Sequence, residues 1–562
     1  MKTVFKRVFS IAIFSFLVGS LASCGEKPIK DDDLVCTKQT YTFTNLSSFY
    51  DFQSATVDSY QVEGHAINYI DIKQFFNALK PLVNNNLSVT ILPNLNKVRI
   101  RDEQYGLYAN ISWSKDAVFV PYNSFFNYVV SSTASTIDYS YAMKVADYSM
   151  SGSKSITFDL KSYDFDIYYY KGSVLMPFSI FNTLFFSQQM YNIYFNGDAF
   201  CGVSYYLGYS TSEEDYNSIK TSSLNNQEQS VLLRKETYNN FLFDMKYFYG
   251  LKEFKGYSDD FVSASDKALF LSTNVEDNNQ GLINIMQKRL NELHSNICEY
   301  SIYQDPSVRP NILAEENMGE YWKTYYNART EYRQRRADAF PSGVPEVRYQ
   351  SKTAIVTFDS FVTGTNEERK REDAYKYDSF YFMRYALNKA IQHGNIDNVV
   401  IDISLNGGGN LGALIRVLGV LSDNYINYTT FNTLNREYTN VYYAVDADLD
   451  NSYQDKDAYS QFKYYILTSI NTFSAANSMA SMAKCSNIAT LIGEKTGGGM
   501  CSVLPLILAD GTTIRISSNN AIMAYTNNEY NEIESGVNPD ISFARENFYD
   551  DVALANKVES NN

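Results

Sequence analysis

A chain of 562 residues is too long for one hydrophobic core, so several domains are expected. With 45% hydrophobic residues, 20% charged residues, 48 Tyr and 36 Phe, its composition is that of folded globular domains and excludes a disordered chain. The net charge of −15, without the clustered Lys and Arg that phosphate binding requires, argues against nucleic acid and leaves protein, peptide or wall material as partner.

Lys2, Lys6 and Arg7 precede an apolar run from Val8 to Leu21. The run is too short to span a bilayer, so residues 1–23 read as a signal peptide. It closes on Leu21-Ala22-Ser23-Cys24-Gly25, which resembles the bacterial lipobox. That resemblance implies cleavage before Cys24, acylation of its thiol, and an exported protein anchored by lipid to the bacterial membrane, facing outward. Two or three acyl chains hold stably where one does not. Residues 24–40 are polar, include Asp31-Asp32-Asp33, and read as a tether. The other cysteines, Cys36, Cys201, Cys298, Cys485 and Cys501, are odd in number and scattered, and form neither a zinc pattern nor a disulfide framework.

Residues 41–205 contain a pattern that recurs about every fifty residues: a short apolar strand, a turn and a helix start. It is carried by Tyr69 to Ile72 before Phe75-Phe76, by Phe119 to Tyr122 before Phe125-Phe126, and by Leu175 to Phe178 before Phe181. Alternating segments at 88–100 and 156–170 read as hairpins. The region weakly resembles the strand-and-helix repeats of the N-terminal domain of copper amine oxidases, a likeness that implies no copper. Its aromatics read either as core or as a face for peptide or wall material. Residues 206–300 form a helical subdomain, with apolar residues at helical spacing over 238–249 and 282–293. The charged stretch 301–348, with Arg329, Arg333, Arg335 and Arg336, reads as a connector whose helix is solvated.

From 349 to 550 strands and helices alternate, which predicts an α/β layer architecture within a multi-domain chain. Strands are expected at 354–358, 399–403, 464–468 and 489–493, helices at 374–393 and from Leu411 and Ala475, and a hairpin of 504–508 with 513–517 around Asp510-Gly511. Three segments carry candidate chemistry. The strand at 399–403 runs into Asn406-Gly407-Gly408-Gly409, by itself a simple turn or a phosphate cradle without its Lys. Phe473-Ser474-Ala475-Ala476 places a hydroxyl where a strand turns sharply into a helix, which suits a nucleophile and equally a helix N-cap. Gly493-Glu494-Lys495-Thr496-Gly497 ends the next strand, with Lys495 read as a surface ion pair of Glu494.

In this order these three segments resemble the tail-specific (C-terminal processing) and tricorn-core serine peptidases, and the likeness spans residues 349–545. It implies a ClpP/crotonase-like core with Ser474 as nucleophile. The oxyanion donors implied are the amide of Ala475 and that of Gly407 or Gly408. The base Lys of the processing branch is missing, since Thr496-Gly497-Gly498-Gly499-Met500 stands in its place. The tricorn-like branch uses a His from the helical part and a Glu before Gly-Val-x-Pro-Asp. The counterparts are His294, after Leu290, and Glu534, before Gly536-Val537. His294 is therefore the implied general base, and Glu534 the group that orients it or its proton network. His65 and His393 read as structural. The chain departs from the family in lacking Asp-Gly just before His294 and in having Ser404-Leu405 where Arg is common. Relatives often carry a PDZ module ahead of the core, but 301–348 is too short for one.

The resulting expectation is an extracytoplasmic serine endopeptidase that cleaves unstructured protein tails or peptides through an acyl-enzyme, with no metal or cofactor. The alternative is an inactive peptide- or wall-binding lipoprotein on a degenerate peptidase fold. Nothing in the sequence bears on subunit number.

Overall fold

The computed structural model describes residues 34–131, 136–209, 211–259, 261–453 and 456–561. The signal segment and Cys24 lie outside the described residues, as does the tether up to residue 33. The chain is a multi-domain α/β protein. Among the described residues no helix is long and apolar enough to cross a membrane.

The C-terminal core is a six-stranded sheet ordered as in the sequence: Val347–Gln350, Thr353–Thr357, Asn398–Asp402, Lys463–Thr468, Ala489–Gly493 and Ile541–Ser542. Its first pair is antiparallel and the others are parallel. Alternate residues serve opposite faces, as the two-residue period of a strand requires. Val399, Ile401, Tyr464 and Ile466 pack under the helices Ser379–His393, Leu411–Leu421 and Ala475–Cys485. Val400, Tyr465, Leu467 and Ile492 meet the helices Glu320–Ala339 and Asp551–Glu559. Covering both faces explains why Asn398–Asp402 is buried at every position. The helix expected from residue 374 starts at Ser379, where the Asp378 carboxylate accepts the N–H groups of Phe380 and Tyr381.

A second, antiparallel sheet is built around the long strand Thr513–Thr526. Cys501–Ile507 pairs with it as the hairpin expected around Asp510-Gly511, and Asn296–Glu299 and Ile426–Asn432 pair with it too. Glu437–Val445 continues the sheet, and Met143–Ser151, a strand from the N-terminal region, forms its edge.

The N-terminal region holds two further sheets. In the repeat units, Asn68–Asp71 leads to the helix Ile72–Ala78, Ala117–Val120 to a 3-10 turn, and Ser173–Pro177 to the helix Phe178–Phe185. Their phenylalanines point inward: Phe75, Phe125 and Phe181 are fully buried, so these aromatics form core and not a binding face. Residues 156–170 are not a hairpin, because Ile156–Asp159 and Tyr168–Tyr170 join different sheets. Strand Cys36–Asn45 begins inside the expected tether, where Cys36 to Thr44 pairs residue by residue with Ser54 to Val62.

Four helices with Ser or Asn caps follow: Glu213–Lys220, Val231–Phe248, Ala264–Phe270 and Val275–Ile283. The last continues as a π turn, Asn284–Arg289. Glu320–Ala339 is not the solvated helix expected, since Trp322, Tyr325, Ala328 and Tyr332 are buried. The aromatic spacing put these side chains on one face, but the many charges masked it.

One buried ion pair ties the helical part to the second sheet. Arg234 Nη1 lies 2.6 Å from Asp510 Oδ2, and both side chains are almost wholly buried. The guanidinium also donates to Gln229 and to the Phe270 carbonyl. Removing one member strands the other charge, so Asp510→Ala should lower unfolding free energy by roughly 3–5 kcal/mol in urea denaturation. A loss near zero would mean that the pair does not lock the two parts together.

Candidate active site

Ser474 stands between the strand Lys463–Thr468 and the helix Ala475–Cys485, with φ 57° and ψ −123°. A non-glycine residue rarely adopts such a backbone, and it survives only where neighbours over-determine it. Here the neighbours are two other turns. Phe473 N–H donates to the Asn406 carbonyl at 3.1 Å, and Ser474 N–H to the Gly498 carbonyl at 2.8 Å. Gly497 N–H donates to Thr472, whose hydroxyl reaches the Ile403 carbonyl. The Ser474 side chain makes no capping bond to its own helix, which removes the N-cap reading.

The glycine segments are required by contact. Gly408 has φ 110°, and a Cβ there would sit 2.9 Å from the Ser474 Cβ. A Cβ on Gly499 would lie 2.5 Å from the Phe473 ring. The segment that carries a Lys in the processing branch thus serves here as a close-packed buttress. Lys495 is exposed and does not pair with Glu494, which instead binds Arg545 and the Tyr332 hydroxyl.

His294 lies in a turn just before the strand Asn296–Glu299. That strand pairs with Thr513–Thr526, and the pairing delivers the imidazole to the nucleophile. His294 Nε2 is 3.0 Å from Ser474 Oγ. The ring packs against Phe473, at 4.8 Å between centroids. Its backbone is clamped from both sides. Its N–H donates to Glu292 Oε2 at 2.7 Å, and its carbonyl accepts from Arg515 Nε at 3.0 Å. Glu292 also accepts the Ser295 hydroxyl, and its backbone carbonyl accepts the Trp322 indole N–H. Nδ1 is buried and has no hydrogen-bond partner among the described residues. Burial, with the Arg515 charge nearby, pulls the imidazole down to about 3, so it is neutral near pH 7 and able to accept a proton.

Glu534 does not reach the imidazole. Its Oε2 accepts the Met500 N–H at 2.9 Å, and with Glu292 it lines a separate cavity of about 690 Å³ beneath the nucleophile turn. Burial first, and the Glu292 charge second, push its carboxyl up to about 8. Among the described residues it therefore makes no direct bond to the imidazole that it was expected to orient, directly or through a proton network. The reason is that Met500, immediately after the glycine buttress, captures the carboxylate.

Ala475 N–H, at the start of the helix, and Gly407 N–H donate to no other group among the described residues, and Gly407 is exposed. Gly408 N–H is taken by Asn406 Oδ1 at 2.9 Å, which leaves the Gly407 N–H as the free donor of the two weighed. Asn406 also donates to the Phe358 carbonyl and so knots the glycine turn to the sheet. Thr496 and Asn477 hold each other at 2.6 Å and bind the segment on both sides of Glu534 through Val537 N–H and the Ile533 carbonyl. His65 binds Glu236 and His393 stacks on Tyr349, both away from this turn.

Ser474 and His294 open on a cleft of about 1000 Å³. Core residues line one side, while Tyr50, Met190, Tyr205 and Tyr209 of the N-terminal region line the other. The sequence reading missed Arg515, Glu292 and Asn406 as site residues. Asn406 stands in the quoted motif, and Arg515 shows only as a polar residue between the buried Ile514 and Ile516. Among the described residues one group of carboxylates, Asp446, Asp448 and Asp450, comes within 4.8 Å, and Asp446 is occupied by its own loop's N–H groups. The five described cysteines form no disulfide.

Residues 352–543 match the model of peptidase family S41. The matched stretch holds the glycine turn, the Ser474 turn and the parallel strands of the six-stranded sheet. Similar solved structures include a Parabacteroides merdae protein named as a peptidase, at 18% identity, covering 55% of this chain and 90% of that one with a TM-score of 0.40. A lipoprotein from Streptococcus agalactiae is 14% identical over 58% of this chain and 95% of that one, with a TM-score of 0.35. The tricorn protease is 14% identical over 43% of this chain and 20% of that one, with a TM-score of 0.23. No curated protein matches.

A buried carboxyl raised toward 8 favours the fold while protonated. Its contribution is full below about pH 4.5 and is lost as pH rises toward 8. Glu534→Gln should remove that loss. The wild type should melt lower at pH 8 than at pH 5, and the variant should narrow the gap by about a few degrees in calorimetry. An unchanged gap would place the titration elsewhere.

Proposed function

We propose that this protein is an extracytoplasmic serine endopeptidase, lipid-anchored through Cys24, which cleaves unstructured protein tails or peptides. The observation that carries the reading is the 3.0 Å contact between His294 Nε2 and the hydroxyl of Ser474, held at a strained turn. The neutral imidazole takes the Oγ proton as Oγ attacks the peptide carbonyl carbon. The developing oxyanion meets the N–H groups of Ala475 and Gly407, assisted by the positive end of the helix Ala475–Cys485. His294 then gives the proton to the leaving amine, an acyl-Ser474 ester remains, and water delivered through the same base hydrolyses it. Export and anchoring rest on the lipobox-like segment, and the open cleft beside Ser474 supports an extended chain as substrate.

Ser474→Ala should abolish hydrolysis of an unfolded protein and labelling by a fluorophosphonate probe, with the melting temperature nearly unchanged. His294→Ala should be about as damaging, because members of a catalytic unit are not additive. Hydrolysis that persists in Ser474→Ala would refute the assignment.

The active form of the base is the neutral one, and its protonation is displaced to about 3. The acid limb of kcat/KM should therefore fall below pH 5, and not near the ordinary 6.5 of histidine. A limb centred at 6 to 7 would show that the imidazole is solvated in the working enzyme.

A further inference from the structure

The helix Leu411–Leu421 carries one charged residue among apolar neighbours, Arg416, and that side chain is wholly buried. A guanidinium out of water is unfavourable unless its donors are taken and its charge is balanced. Nη1 donates to the Tyr139 carbonyl at 2.8 Å, 277 residues earlier in the chain, and Nη2 donates to the Thr363 hydroxyl at 2.7 Å. The guanidinium also packs on the Tyr141 ring, 4.0 Å from its centroid, and the Arg369 guanidinium packs on the same ring at 3.8 Å. The Tyr141 hydroxyl donates to Asp378 Oδ1 at 2.7 Å. Much of what compensates Arg416 therefore comes from residues 139–141 of the N-terminal region. Ile137 and Tyr139 of the same segment line the cleft beside Ser474. In the other direction the bonds run to the glycine turn. The Thr363 hydroxyl, which accepts from Arg416, donates to Asn410 Oδ1 at 3.0 Å. Asn410 N–H donates to the Phe361 carbonyl at 2.8 Å, and Phe361 N–H donates to the Gly408 carbonyl at 2.9 Å. The turn thus has two anchors: Asn406 fastens it to the sheet, and this chain of bonds fastens it through Arg416 to residues 139–141.

We propose that Arg416 is a positioning residue for the reaction at Ser474: it transmits the docking of residues 137–141 to the glycine turn, so that the Gly407 N–H is set for the oxyanion only while the N-terminal region is docked. This rests on the peptidase reading above. Arg416 does not line the cleft, and it acts through Thr363, Asn410 and Phe361. An N–H group stabilises developing charge only when it points at the place the oxyanion will occupy, and a misplacement of about 1 Å costs on the order of a hundredfold in rate. Gly407, Gly408 and Gly409 have no side chains to pack them in place, so the turn depends on the bonds that hold it from outside. Without residues 139–143, Arg416 keeps only the Thr363 hydroxyl as acceptor among the described residues. A buried cation left in that state turns toward other acceptors or water and draws Thr363 away from Asn410. The N-terminal half is on this account a working part of the active site and not an appended module.

The test uses the full chain, a peptide substrate and a small fluorophosphonate, which reacts with the Ser474 hydroxyl and uses the same oxyanion donors but is too short to need the tyrosine wall of the cleft. Arg416→Met, which keeps an unbranched side chain and removes the donors and the charge, should slow labelling and lower kcat by about ten- to a hundredfold while KM stays within about threefold. Arg416→Lys should recover part of the loss, since an ammonium binds the Tyr139 carbonyl or the Thr363 hydroxyl but lacks the fork that spans both. Thr363→Val cuts the link to Asn410 and leaves Arg416 bonded to Tyr139, so it should slow labelling in the same way even where Arg416→Met folds poorly. Hydrogen exchange followed by mass spectrometry should rise in Arg416→Met at residues 137–141 and at 407–410 together. Labelling unchanged in either Arg416→Met or Thr363→Val, a loss confined to KM, or faster exchange confined to 137–141 would show a merely structural tie and overturn the proposal. A wild type that neither labels nor hydrolyses sinks the peptidase assignment and this proposal with it, whereas an active wild type with equally active Arg416→Met and Thr363→Val sinks this proposal alone.

Discussion

The active site depends on one contact, the hydrogen bond between His294 and Ser474, whose partners are 180 residues apart in the chain. Neither side chain could hold that geometry alone. The hydroxyl is placed by a backbone conformation that costs of order 1–3 kcal/mol and persists because the turns at Asn406 and Gly498 grip it from both sides. The imidazole is placed by a four-residue strand, Asn296–Glu299, whose ladder to Thr513–Thr526 sets the position of everything just before it. Two carbonyls bound by Arg515 and one N–H bound by Glu292 then settle the loop.

Electrostatics distinguish this site from a relay in which a carboxylate touches the base. The second ring nitrogen of His294 is buried without a hydrogen-bond partner among the described residues, and the charge that acts on the ring is the Arg515 cation. Burial and that cation keep the imidazole neutral over the ordinary pH range. Of the two carboxylates below the loop, Glu292 binds its backbone directly, while Glu534 binds the Met500 N–H. Burial first, with the Glu292 charge second, accounts for the high position of Glu534.

The N-terminal region bears on the site more closely than its linear distance suggests. Its tyrosines form a wall of the cleft, and its strand Met143–Ser151 completes the edge of the sheet that carries His294. The repeats supply a rigid aromatic core, and the loops between them supply the surface facing substrate. This follows the general division between packed elements and functional loops.

The sequence alone determined the local chemistry of the core. The buried strand at 399–403, the Asn-Gly-Gly-Gly turn, the hydroxyl before two alanines and the hairpin at Asp510-Gly511 are all properties of short segments, whose period and turn residues act over a few positions. It also marked the repeat units, though not which sheet each strand joins, since pairing partners are chosen by packing and not by neighbours. Tertiary structure decided the rest. Only the folded chain shows that Gly408 spends its N–H on Asn406, that Glu534 is held by Met500, and that Glu320–Ala339 is buried under its charges. Only it shows Arg515 lining the cleft beside His294. Each of these depends on which groups meet across long loops, a choice made by burial and strand pairing among residues far apart in the chain, which no local pattern encodes.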